Sequence, residues 1–464
     1  MIQTILEKII IKKKKWIENK KNKKPLKNFK NKISINTRNF IEALNINKPA
    51  FILECKKASP SLGIINKNFN LNKISKIYKK YANVISVITE NNYFHGNIKN
   101  ISIVRNQVPQ PILCKDFIFD PYQIYLARYY QADAVLLMLS ILNNNQYNFL
   151  SNLCKKMNLG ILTEINNIKE LNRAIFLKAK VIGINNRDLK NLSVDINNTK
   201  KLAPLISNKT IIISESGFYK NSQIRQLSTI VNGFLIGSSL MQKNNLKIAV
   251  KKIIFGNNKI CGLTRIKDAK ISEKYGSVYG GLIFCKNSPR KIKLKQAKKI
   301  ICVKNLKFVG VFQNQNIDEI IKKIFLLNLK IIQLHGIENE EYINKLKKNI
   351  GYKIKIWKSI GVNKNIYFFK KYDNVNKYLF DNINPGSGKS FNWNILKGKN
   401  LKKIILSGGL NSTNIQKALI LNCYGLDLNS GLEKKTGIKD KKKIKKIFKI
   451  LRSFYYRRKI NEKK

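Results

Sequence analysis

The stretch SESG at 214–217, followed by GFLIGSSL at 233–240, decides how this sequence folds. In both pieces a short apolar run ends in Gly and Ser. The same arrangement recurs further along the chain, as SGGL at 407–410 followed by GLDLNSGLE at 425–433. Backbone N–H groups that follow the last two strands of a (β/α)8 barrel hold a phosphate in this manner. The repeat therefore predicts two barrels, each built for a phosphorylated substrate.

Outward from these motifs, the first half contains eight strand-like segments that alternate with helical patterns. They are FILECKK (51–57), VISVITE (84–90), PILCKDF (111–117), AVLLMLS (134–140), ILTEI (161–165), VIGINNRD (181–188), TIIISESG (210–217) and GFLIGSSL (233–240). After the first of them, one helical face is predicted to carry Ile74, Ile77, Tyr78 and Tyr81. Alternating βα units of this kind indicate a parallel sheet covered by helices.

The second half repeats the count of eight. Its segments are KICGLTR (259–265), VYGGLIF (278–284), LKFVGVF (306–312), LKIIQLH (329–335), IKIWKSI (354–360), KYLFDN (377–382), KKIILSGGL (402–410) and YGLDLNSG (424–431). A helix after the third strand is predicted to bury one face with Ile317, Ile320, Ile321, Ile324 and Phe325. The 464 residues are about twice the roughly 250 of a single barrel. We therefore predict an α/β protein of two tandem (β/α)8 TIM barrels.

The domain boundaries follow from this strand count. The first barrel is predicted over 1–255, with 1–50 as an added helical extension, and the second over 256–453. Residues 454–464 form a basic C-terminal tail that includes YYRRK. The chain passes between the barrels near KKIIFGNNK (251–259) without a Gly/Ser linker.

The formal net charge is +64, from 90 Lys and Arg against 26 Asp and Glu, which raises the question of nucleic-acid binding. The excess is Lys rather than Arg, runs along the whole chain and accompanies many Asn and Ile residues, a pattern that AT-biased codons produce. A dedicated RNA site would instead cluster Arg with stacking aromatic residues. We therefore expect small phosphorylated molecules as partners and no specific nucleic acid.

Composition also argues against several other classes of protein. No apolar run approaches the roughly 20 residues of a membrane span, and the N-terminus lacks the h-region of a signal peptide. The seven Cys residues are scattered without a CxxC pair, and His95 and His335 are the two histidines, so neither disulfides nor a metal site is indicated. We expect a cytoplasmic monomer without metal or cofactor.

Polar residues at strand ends are the candidates for catalysis, because barrel enzymes keep their active sites at the C-terminal ends of the strands. Glu54 and Lys56 are two residues apart on the first strand, so they point to the same side. Further candidates at strand ends are Lys115, Glu164, Asn185, Arg187, Glu215 and Ser216. The alternative is a structural Lys–Glu network that closes the top of the core. Charges facing one another in a barrel mouth are costly unless they are used, so we favour catalysis.

The motifs of the first half, ECKKASPS, PILCKDF, ILTE, GINNRDL, SESG and GFLIGSSLM, resemble those of indole-3-glycerol-phosphate synthase and span residues 1 to about 255. Those of the second half, KICGLTR, GGLIF with SPR, VGVF, QLHG, YLFDN, SGGL and GLDLNSGLE, resemble phosphoribosylanthranilate isomerase over about 256 to 453. The whole chain is thus similar to the fused bifunctional enzymes of tryptophan biosynthesis. The resemblance implies two consecutive reactions.

For the isomerase half, the resemblance implies an Amadori rearrangement that needs one acid and one base. Asp381 is the implied acid that protonates the ribose ring oxygen, and Cys261 is the implied base that removes the C2′ proton. We expect a cation such as Lys259 or Arg265 to lower the pKa of the Cys261 thiol. An isolated Cys is more often a small buried hydrophobe, but the place of Cys261 at a strand end favours the base.

The resemblance also implies where the isomerase substrate binds. Arg290 is the implied anchor of the anthranilate carboxylate, because its planar guanidinium matches a carboxylate. Asp427 is expected to hold the ribose hydroxyls or the loop around them. The phosphate is expected on Gly408, Gly409, Ser430 and Gly431. In NPGSGK (384–389), the Pro before the Gly-rich segment departs from the family pattern and is expected to stiffen the loop.

For the synthase half, the resemblance implies indole-ring closure by attack of an aryl carbon on a ketone, followed by loss of CO₂ and water. Lys115 is the implied general acid, Lys56 binds the carboxylate, and Glu164 serves the dehydration. The remaining implied catalytic residues are Glu54, which positions the lysines, Asn185, which orients the intermediate, and Glu215. The phosphate is expected on Arg187, Ser216, Gly217, Gly237 and Ser238, with Ser59 in a loop over the site. No cofactor is implied, because the cyclised cationic intermediate is itself the electron sink.

Three alternatives stay open at this point. One barrel is a relic that persists as scaffold, or the chain acts on another phosphosugar, as the isomerases of histidine synthesis do with a pair of Asp residues. In the third, the barrels only support a polyanion-binding surface, and binding then falls steeply with added salt.

Overall fold

The structure is a computed structural model, and it describes residues 4–35, 37–188, 191–362, 371–384 and 388–453. The predicted basic tail (454–464) and the Pro of the NPGSGK loop lie outside the described residues. The contacts divide the chain into two compact units, of which the first contains Met1–Tyr219 and Gln223–Leu246, and the second Lys220–Ser222 and Lys247–Phe454. None of the helices in the described part is both long and apolar enough to cross a membrane.

The first unit contains a closed barrel of eight parallel strands. The strands are Ala50–Cys55, Val84–Ile88, Ile112–Lys115, Ala134–Met138, Gly160–Ile165, Val181–Asn185, Ile211–Glu215 and Gly233–Ile236. The last pairs with the first, Phe234 beside Phe51, which closes the ring. A two-stranded hairpin, Ala58–Ser59 with Gly63–Ile64, follows the first strand. All eight predicted strands are present, and the residues predicted beyond their ends belong to the loops of the barrel mouth.

Helices follow the strands around this barrel. Before the first strand come the α-helices Ile5–Lys23 and Phe40–Asn45, with 3-10 turns at Leu26–Asn28 and Lys30–Lys32. The later helices are Leu71–Tyr78, Asn100–Arg105, Pro121–Tyr129, Asn144–Lys156, Ile168–Phe176, Asn197–Leu202 with the 3-10 turn Ala203–Leu205, Asn221–Leu227 and Ser238–Met241. The helix Leu246–Phe255 that follows belongs to the second unit from Lys247 onward. In Leu71–Tyr78 the predicted apolar face buries Ile74 and Tyr78, and the Asn70 side chain caps the helix by accepting from Lys73 N–H.

The second unit contains another closed barrel of eight parallel strands. They are Lys259–Ile260, Tyr279–Ile283, Lys307–Phe312, Ile331–Leu334, Lys355–Val362, Lys377–Asn382, Ile404–Leu406 and Gly425–Leu428. The helices are Ile266–Tyr275, Leu294–Ile300, Ile317–Leu326, Glu340–Ile350, Ile415–Ile420 and Lys441–Ser453, with 3-10 turns at Trp393–Leu396 and Ser430–Leu432. A hairpin pairs Glu433–Lys435 with Ile438–Lys439.

One detail of the predicted packing is wrong. In the helix Ile317–Leu326, Ile320 and Ile324 are buried as expected, but Phe325 is 70% exposed. Phe325 directly follows Ile324, so it is turned about 100° around the helix axis from the buried stripe. The apolar face of this helix is therefore narrower than its composition indicates.

The N-terminal extension is anchored by a buried ion pair. The Lys13 ammonium lies 2.7 Å from a carboxylate oxygen of Asp116, and the Lys13 side chain is fully buried. The same oxygen accepts from the Thr89 hydroxyl at 2.6 Å, and the other oxygen accepts from Phe117 N–H. Because Asp116 directly follows Lys115, the helix Ile5–Lys23 is tied to the loop that carries a predicted catalytic residue.

Candidate active sites

The C-terminal ends of the strands of the first barrel surround a cavity of about 120 Å³. The predicted residues that line it are Glu54, Lys56, Lys115, Glu164, Asn185, Arg187, Glu215, Ser216, Gly217, Gly237 and Ser238. Ser59 is the exception, since it is buried in the hairpin after the first strand and does not line the cavity. The structure therefore gathers residues from strands that are far apart in sequence into one site.

Two lysines and three carboxyl groups form two sets of ion pairs in this cavity. The Lys56 ammonium lies 2.7 Å from a carboxylate oxygen of Glu54. The Lys115 ammonium lies 3.1 Å from Glu164 and 3.6 Å from Glu215. All three carboxyl side chains are almost completely buried. These ion pairs hold both ammonium groups in place before any substrate binds.

Burial and proximity set the protonation of these groups. Burial opposes the charge of Lys115, but Glu164 and Glu215 outweigh it and raise the pKa of the Lys115 ammonium. Burial also raises the pKa of Glu215 to about 8, although Lys115 favours its ionised form. At neutral pH Glu215 therefore carries a proton, and Lys115 keeps its charge. The site thus holds a transferable proton on a buried carboxyl group beside a charged ammonium.

Glycines make room for the buried carboxyl groups. A Cβ on Gly237 would come within 3.1 Å of the Glu54 Cβ and would overlap its carboxyl oxygen. A Cβ on Gly183 would likewise overlap the carboxyl group of Glu215. Gly237 was predicted as part of the phosphate loop, whereas Gly183 was not predicted at all. A Gly inside a strand is the sequence signal that marks such a close approach.

The loop after the seventh strand has the backbone of an anion site. Ser216 and Gly217 have φ angles of 66° and 89°, so consecutive residues are left-handed. Successive N–H groups in such turns form a concave surface for an anion. Lys56 donates to the Ser238 hydroxyl across the cavity at 3.4 Å, and Arg187 donates to the Leu192 carbonyl. The predicted phosphate residues thus stand beside the catalytic candidates.

An apolar wall completes the cavity, and its residues were not predicted. It is formed by Phe94, Phe117, Leu136 and Met138, with the Phe94 and Phe117 ring centroids 6.2 Å apart. The Glu90 carboxylate accepts from Tyr93 and Phe94 N–H and thereby shapes the loop that carries Phe94. This wall suits the aromatic part of a substrate.

The mouth of the second barrel encloses a larger cavity of about 410 Å³. The predicted residues that line it are Cys261, Arg290, Asp381, Gly408, Gly409, Asp427 and Ser430. Gly431 is not among the lining residues; it lies against the Leu410 carbonyl, which a Cβ would overlap. Gln333 and His335, in the QLHG motif but not assigned a role from the sequence, also line the cavity.

Lys259 is the centre of this second site. Its ammonium donates to Cys261 Sγ at 3.0 Å, to Asp427 at 2.8 Å and to the Gln333 amide oxygen at 2.9 Å. Burial opposes the Lys259 charge, but Asp427 and Cys261 outweigh it and raise the pKa of the ammonium. Gln333 also contacts His335 Nδ1 at 3.0 Å. Lys259 therefore stays charged and stands ready as the counter-ion of a thiolate.

The expected effect on Cys261 is only partly present. Lys259 does favour the thiolate, but complete burial outweighs this effect, so the pKa of Cys261 is raised rather than lowered. Arg265, the other cation considered, contacts Asp268 with two hydrogen bonds of 3.0 and 2.7 Å instead. The sequence identified Lys259 as a cation near Cys261, but it does not show how strongly burial raises the pKa of the thiol.

Asp381 has the protonation behaviour of an acid. Burial raises the pKa of its carboxyl group to about 6, although the Asn382 N–H, 2.8 Å away, favours the ionised form. The Ser407 hydroxyl donates to the other carboxyl oxygen at 3.1 Å. By contrast, burial together with the Lys259 and Lys358 charges lowers the pKa of His335 to about 4, so this imidazole is neutral.

Arg290 is already held by a carboxylate of the protein. Its Nε lies 2.9 Å and its Nη2 2.8 Å from the two oxygens of Glu433. The Lys439 ammonium also donates to Glu433, at 2.9 Å. The Nη1 atom of Arg290 makes no hydrogen bond to a described residue. One edge of the guanidinium is thus fixed by Glu433, and the predicted role as a carboxylate anchor falls to Nη1.

The phosphate loop of the second barrel resembles that of the first. Gly408 and Gly409 have φ angles of 90° and 59°, again two consecutive left-handed residues after the seventh strand. A Cβ added at Gly388 would lie 3.5 Å from the Ser430 hydroxyl. The loop that contains Gly388 and the loop after the eighth strand are therefore neighbours. Within the described residues, no group of three or more His, Cys, Asp or Glu side chains is arranged to hold a metal ion.

Two (β/α)8 barrels, each with buried carboxyl and ammonium groups beside two consecutive left-handed residues that suit an anion, are typical of enzymes for phosphorylated small molecules. The chain belongs to two enzyme families: indole-3-glycerol phosphate synthase, whose family model matches residues 6–253, and N-(5′-phosphoribosyl)anthranilate isomerase, whose model matches residues 258–450. Each match covers one of the two barrels.

Whole-length relatives carry the same pair of domains in one chain. The protein of Buchnera aphidicola (from Schizaphis graminum) called tryptophan biosynthesis protein TrpCF is 58% identical over 97% of this chain and 100% of its own length. The protein of the same name in Salmonella typhi is 48% identical over 98% of this chain and 100% of its own. That of Haemophilus influenzae is 47% identical over 96% of each.

Proposed function

We propose that this chain catalyses two consecutive steps of tryptophan biosynthesis. The second barrel isomerises N-(5-phosphoribosyl)anthranilate to 1-(2-carboxyphenylamino)-1-deoxyribulose 5-phosphate. The first barrel cyclises, decarboxylates and dehydrates this ketone to indole-3-glycerol phosphate. The observation that carries the proposal is that both families match in tandem, and that each barrel brings its predicted acid, base and phosphate residues into one cavity.

In the second barrel, Asp381 donates a proton to the ribose ring oxygen as the C1′–oxygen bond breaks. Cys261 then takes the proton from C2′, which gives the enol that becomes the ketone. A carboxyl group with a pKa of about 6 is protonated in a useful fraction at neutral pH. The thiolate forms beside the Lys259 ammonium, 3.0 Å away, which holds positive charge where negative charge develops.

In the first barrel, Lys115 donates a proton to the ketone oxygen while the aryl carbon attacks the carbonyl carbon. The substrate carboxylate binds Lys56, and the aryl ring packs against Phe94 and Phe117. Loss of CO₂ leaves its electron pair in the ring system, and Glu164 serves the loss of water that follows. Asn185 donates to Glu164 at 3.0 Å and so fixes its orientation, and the protonated Glu215 supplies a further proton.

Two single substitutions test this division of labour. Cys261→Ala should lower the isomerase rate by about 10²–10⁴-fold and leave the synthase rate unchanged. Lys115→Ala should do the reverse and make the ketone intermediate accumulate. Each variant serves as the folding control for the other. The measurement follows loss of phosphoribosylanthranilate fluorescence and formation of indoleglycerol phosphate. A wild type that stops at the ketone, or never begins, contradicts two active barrels.

The partners and location follow from the same activities. We infer a cytoplasmic monomer that binds its phosphorylated substrates and has no specific nucleic-acid partner. The support is that the enzymatic residues account for the clustered charges of both barrel mouths. RNA binding measured at about 150 mM salt tests this, because purely electrostatic binding weakens steeply as salt rises; tight, salt-resistant binding contradicts it.

A further inference from the structure

A third cavity lies at the opposite end of the second barrel from its active site. Its volume is about 670 Å³, within the range of small-molecule sites. The lining residues come from the N-terminal ends of the strands and the loops before them. They include the lysines Lys252, Lys307, Lys330, Lys353, Lys355 and Lys377. No carboxylate lines the described part of this cavity, so it is a cationic chamber without an acidic counterpart.

Three of the lysines lie at the N-terminal ends of barrel strands, on the side that faces the barrel axis. Lys307, Lys355 and Lys377 each stand two residues before a core residue of their strand, namely Val309, Trp357 and Leu379. Because side chains two apart on a strand lie on the same face, these lysines are directed to the side of the barrel axis rather than to the helices. Strand alternation therefore converges three ammonium groups on one opening.

The positions of these lysines produce repulsion rather than pairing. Burial and the Lys355 charge lower the pKa of Lys307, and burial together with Lys403 and Lys355 lowers the pKa of Lys377. In the part of the chain that is described, neither Lys307, Lys355 nor Lys377 forms a salt bridge. Like charges gathered without a counter-ion favour binding of an anion.

The floor of the cavity is aromatic. Tyr279 and Trp357 pack edge to face with ring centroids 5.1 Å apart, and the Tyr279 and Tyr424 hydroxyls are 3.2 Å apart. The Lys377 ammonium lies over the Tyr424 ring, 3.8 Å from its centroid. A cationic rim above an aromatic floor matches a ligand that has both phosphate charges and a planar ring.

We propose that this cavity binds a small organic polyphosphate with a planar ring, for example a nucleoside triphosphate. The site is distinct from both active sites, since it lies at the N-terminal rather than the C-terminal ends of the strands. Binding here depends on three lysines at the N-terminal ends of the strands and not on the general basicity of the chain.

The test is calorimetric titration of the full chain with magnesium-free ATP at about 150 mM salt. Lys307→Gln/Lys355→Gln/Lys377→Gln should lose one binding site, with at least about tenfold weaker affinity. The matched control is Lys295→Gln/Lys298→Gln/Lys299→Gln, which removes three exposed charges from the helix Leu294–Ile300. The control should bind like wild type, and both variants should keep the isomerase rate, which also shows that they are folded.

Three outcomes would overturn the proposal: no ATP binding by wild type, unchanged binding by the cavity variant, or equal weakening in both triple variants. If the cavity variant fails to fold, Lys355→Gln alone, which removes the charge that both other lysines face, should still weaken binding. In a Trp16→Phe/Trp393→Phe background, Trp357 is the remaining tryptophan. Its fluorescence should change on titration with ATP, and an unchanged signal would contradict binding in this cavity. Inorganic triphosphate should bind more weakly than ATP, and equal affinity would overturn the role of the ring.

Discussion

The two barrels share one scaffold but prepare their charges differently. The first keeps two ammonium groups among three carboxyl groups, and burial keeps a proton on one of these, Glu215. In the second, a fully buried ammonium, Lys259, is shared between a thiol and a carboxylate. A fold thus supplies the position of catalytic groups, whereas their protonation depends on what stands beside them and how deeply they are buried.

The phosphate loops, by contrast, are nearly the same. Both have two consecutive left-handed residues after the seventh strand, Ser216 and Gly217 in one barrel and Gly408 and Gly409 in the other. The phosphate is common to all the substrates, and the reacting groups are not. The proposed phosphate contacts therefore lie on similar loops in the two barrels, whereas the proposed reacting groups differ between them.

The largest effect should follow from removing the shared ammonium of the second barrel. Lys259→Met should lower the isomerase rate by about 10²–10³-fold, because the Cys261 thiolate loses its counter-ion. The alkaline limb of the pH profile of kcat/KM should move upward, since the thiol ionises less readily. Lys358→Met is the matched control, because Lys358 is also buried but pairs with Glu338. An identical pH shift in both variants would contradict the role given to Lys259.

A somewhat smaller loss of activity should follow from adding a methyl group at glycines that lie against the candidate catalytic side chains. Gly237→Ala should displace the Glu54 carboxyl and lower the synthase rate by about 10²-fold, while the isomerase is unaffected. Gly281→Ala should do the reverse, because its Cβ would lie 2.5 Å from Cys261 Sγ and 2.9 Å from Lys259 Cε. Assaying both reactions in both variants checks the comparison. Loss of both activities in either variant would indicate general unfolding.

The third expectation separates the barrels by pH. With Asp381 as the proposed acid and Cys261 as the proposed base, the kcat/KM of the isomerase should rise up to about pH 6 and stay level until Cys261 ionises, above its usual range. With Glu215 as a proposed proton donor, the synthase rate should fall above about pH 8. At pH 9 the synthase should be about tenfold slower than at its plateau, and the ketone should accumulate.

The control for this pH experiment is Glu215→Gln. The amide cannot titrate, so the variant should be slower but should show no decline near pH 8. If the wild-type synthase stays level through pH 9, Glu215 is not the proton source.

The smallest effect concerns the extension that only the first barrel has. Lys13→Met removes one partner of a buried pair and should cost stability through the uncompensated Asp116 charge. The double variant Lys13→Met/Asp116→Asn should recover about 1 kcal/mol of it, the coupling expected between contacting residues. Thermal unfolding of the single and double variants checks this. Additive losses would mean that the 2.7 Å contact contributes nothing specific.

Much of the fold could be predicted from the sequence, because barrel strands are short apolar runs bounded by polar loops. The alternation placed all eight strands in each half, and the SESG and SGGL motifs marked the seventh strands. What failed was local: Phe325 belongs to an apolar stretch yet faces solvent. Helical periodicity predicts which side of a helix is apolar. How much of that apolar face is buried depends on the elements that pack against it.

The site was predictable to the extent that strand ends determine it. The cavities contain the predicted residues except Ser59 and Gly431. The unpredicted features are those that need three dimensions, such as the pairing of Arg290 with Glu433, the overlap that Gly183 avoids, and the balance of burial against Lys259 at Cys261. A sequence shows which groups are present, whereas desolvation depends on everything that packs around them.

The Lys13–Asp116 pair also has a consequence for how the chain is made. Its partners are 103 residues apart, and a ribosome adds about 5–20 residues per second. The helix Ile5–Lys23 is therefore synthesised roughly 5–20 s before Asp116. Until then Lys13 lacks the carboxylate that it contacts in the folded barrel, so this anchor of the helix forms only after that delay.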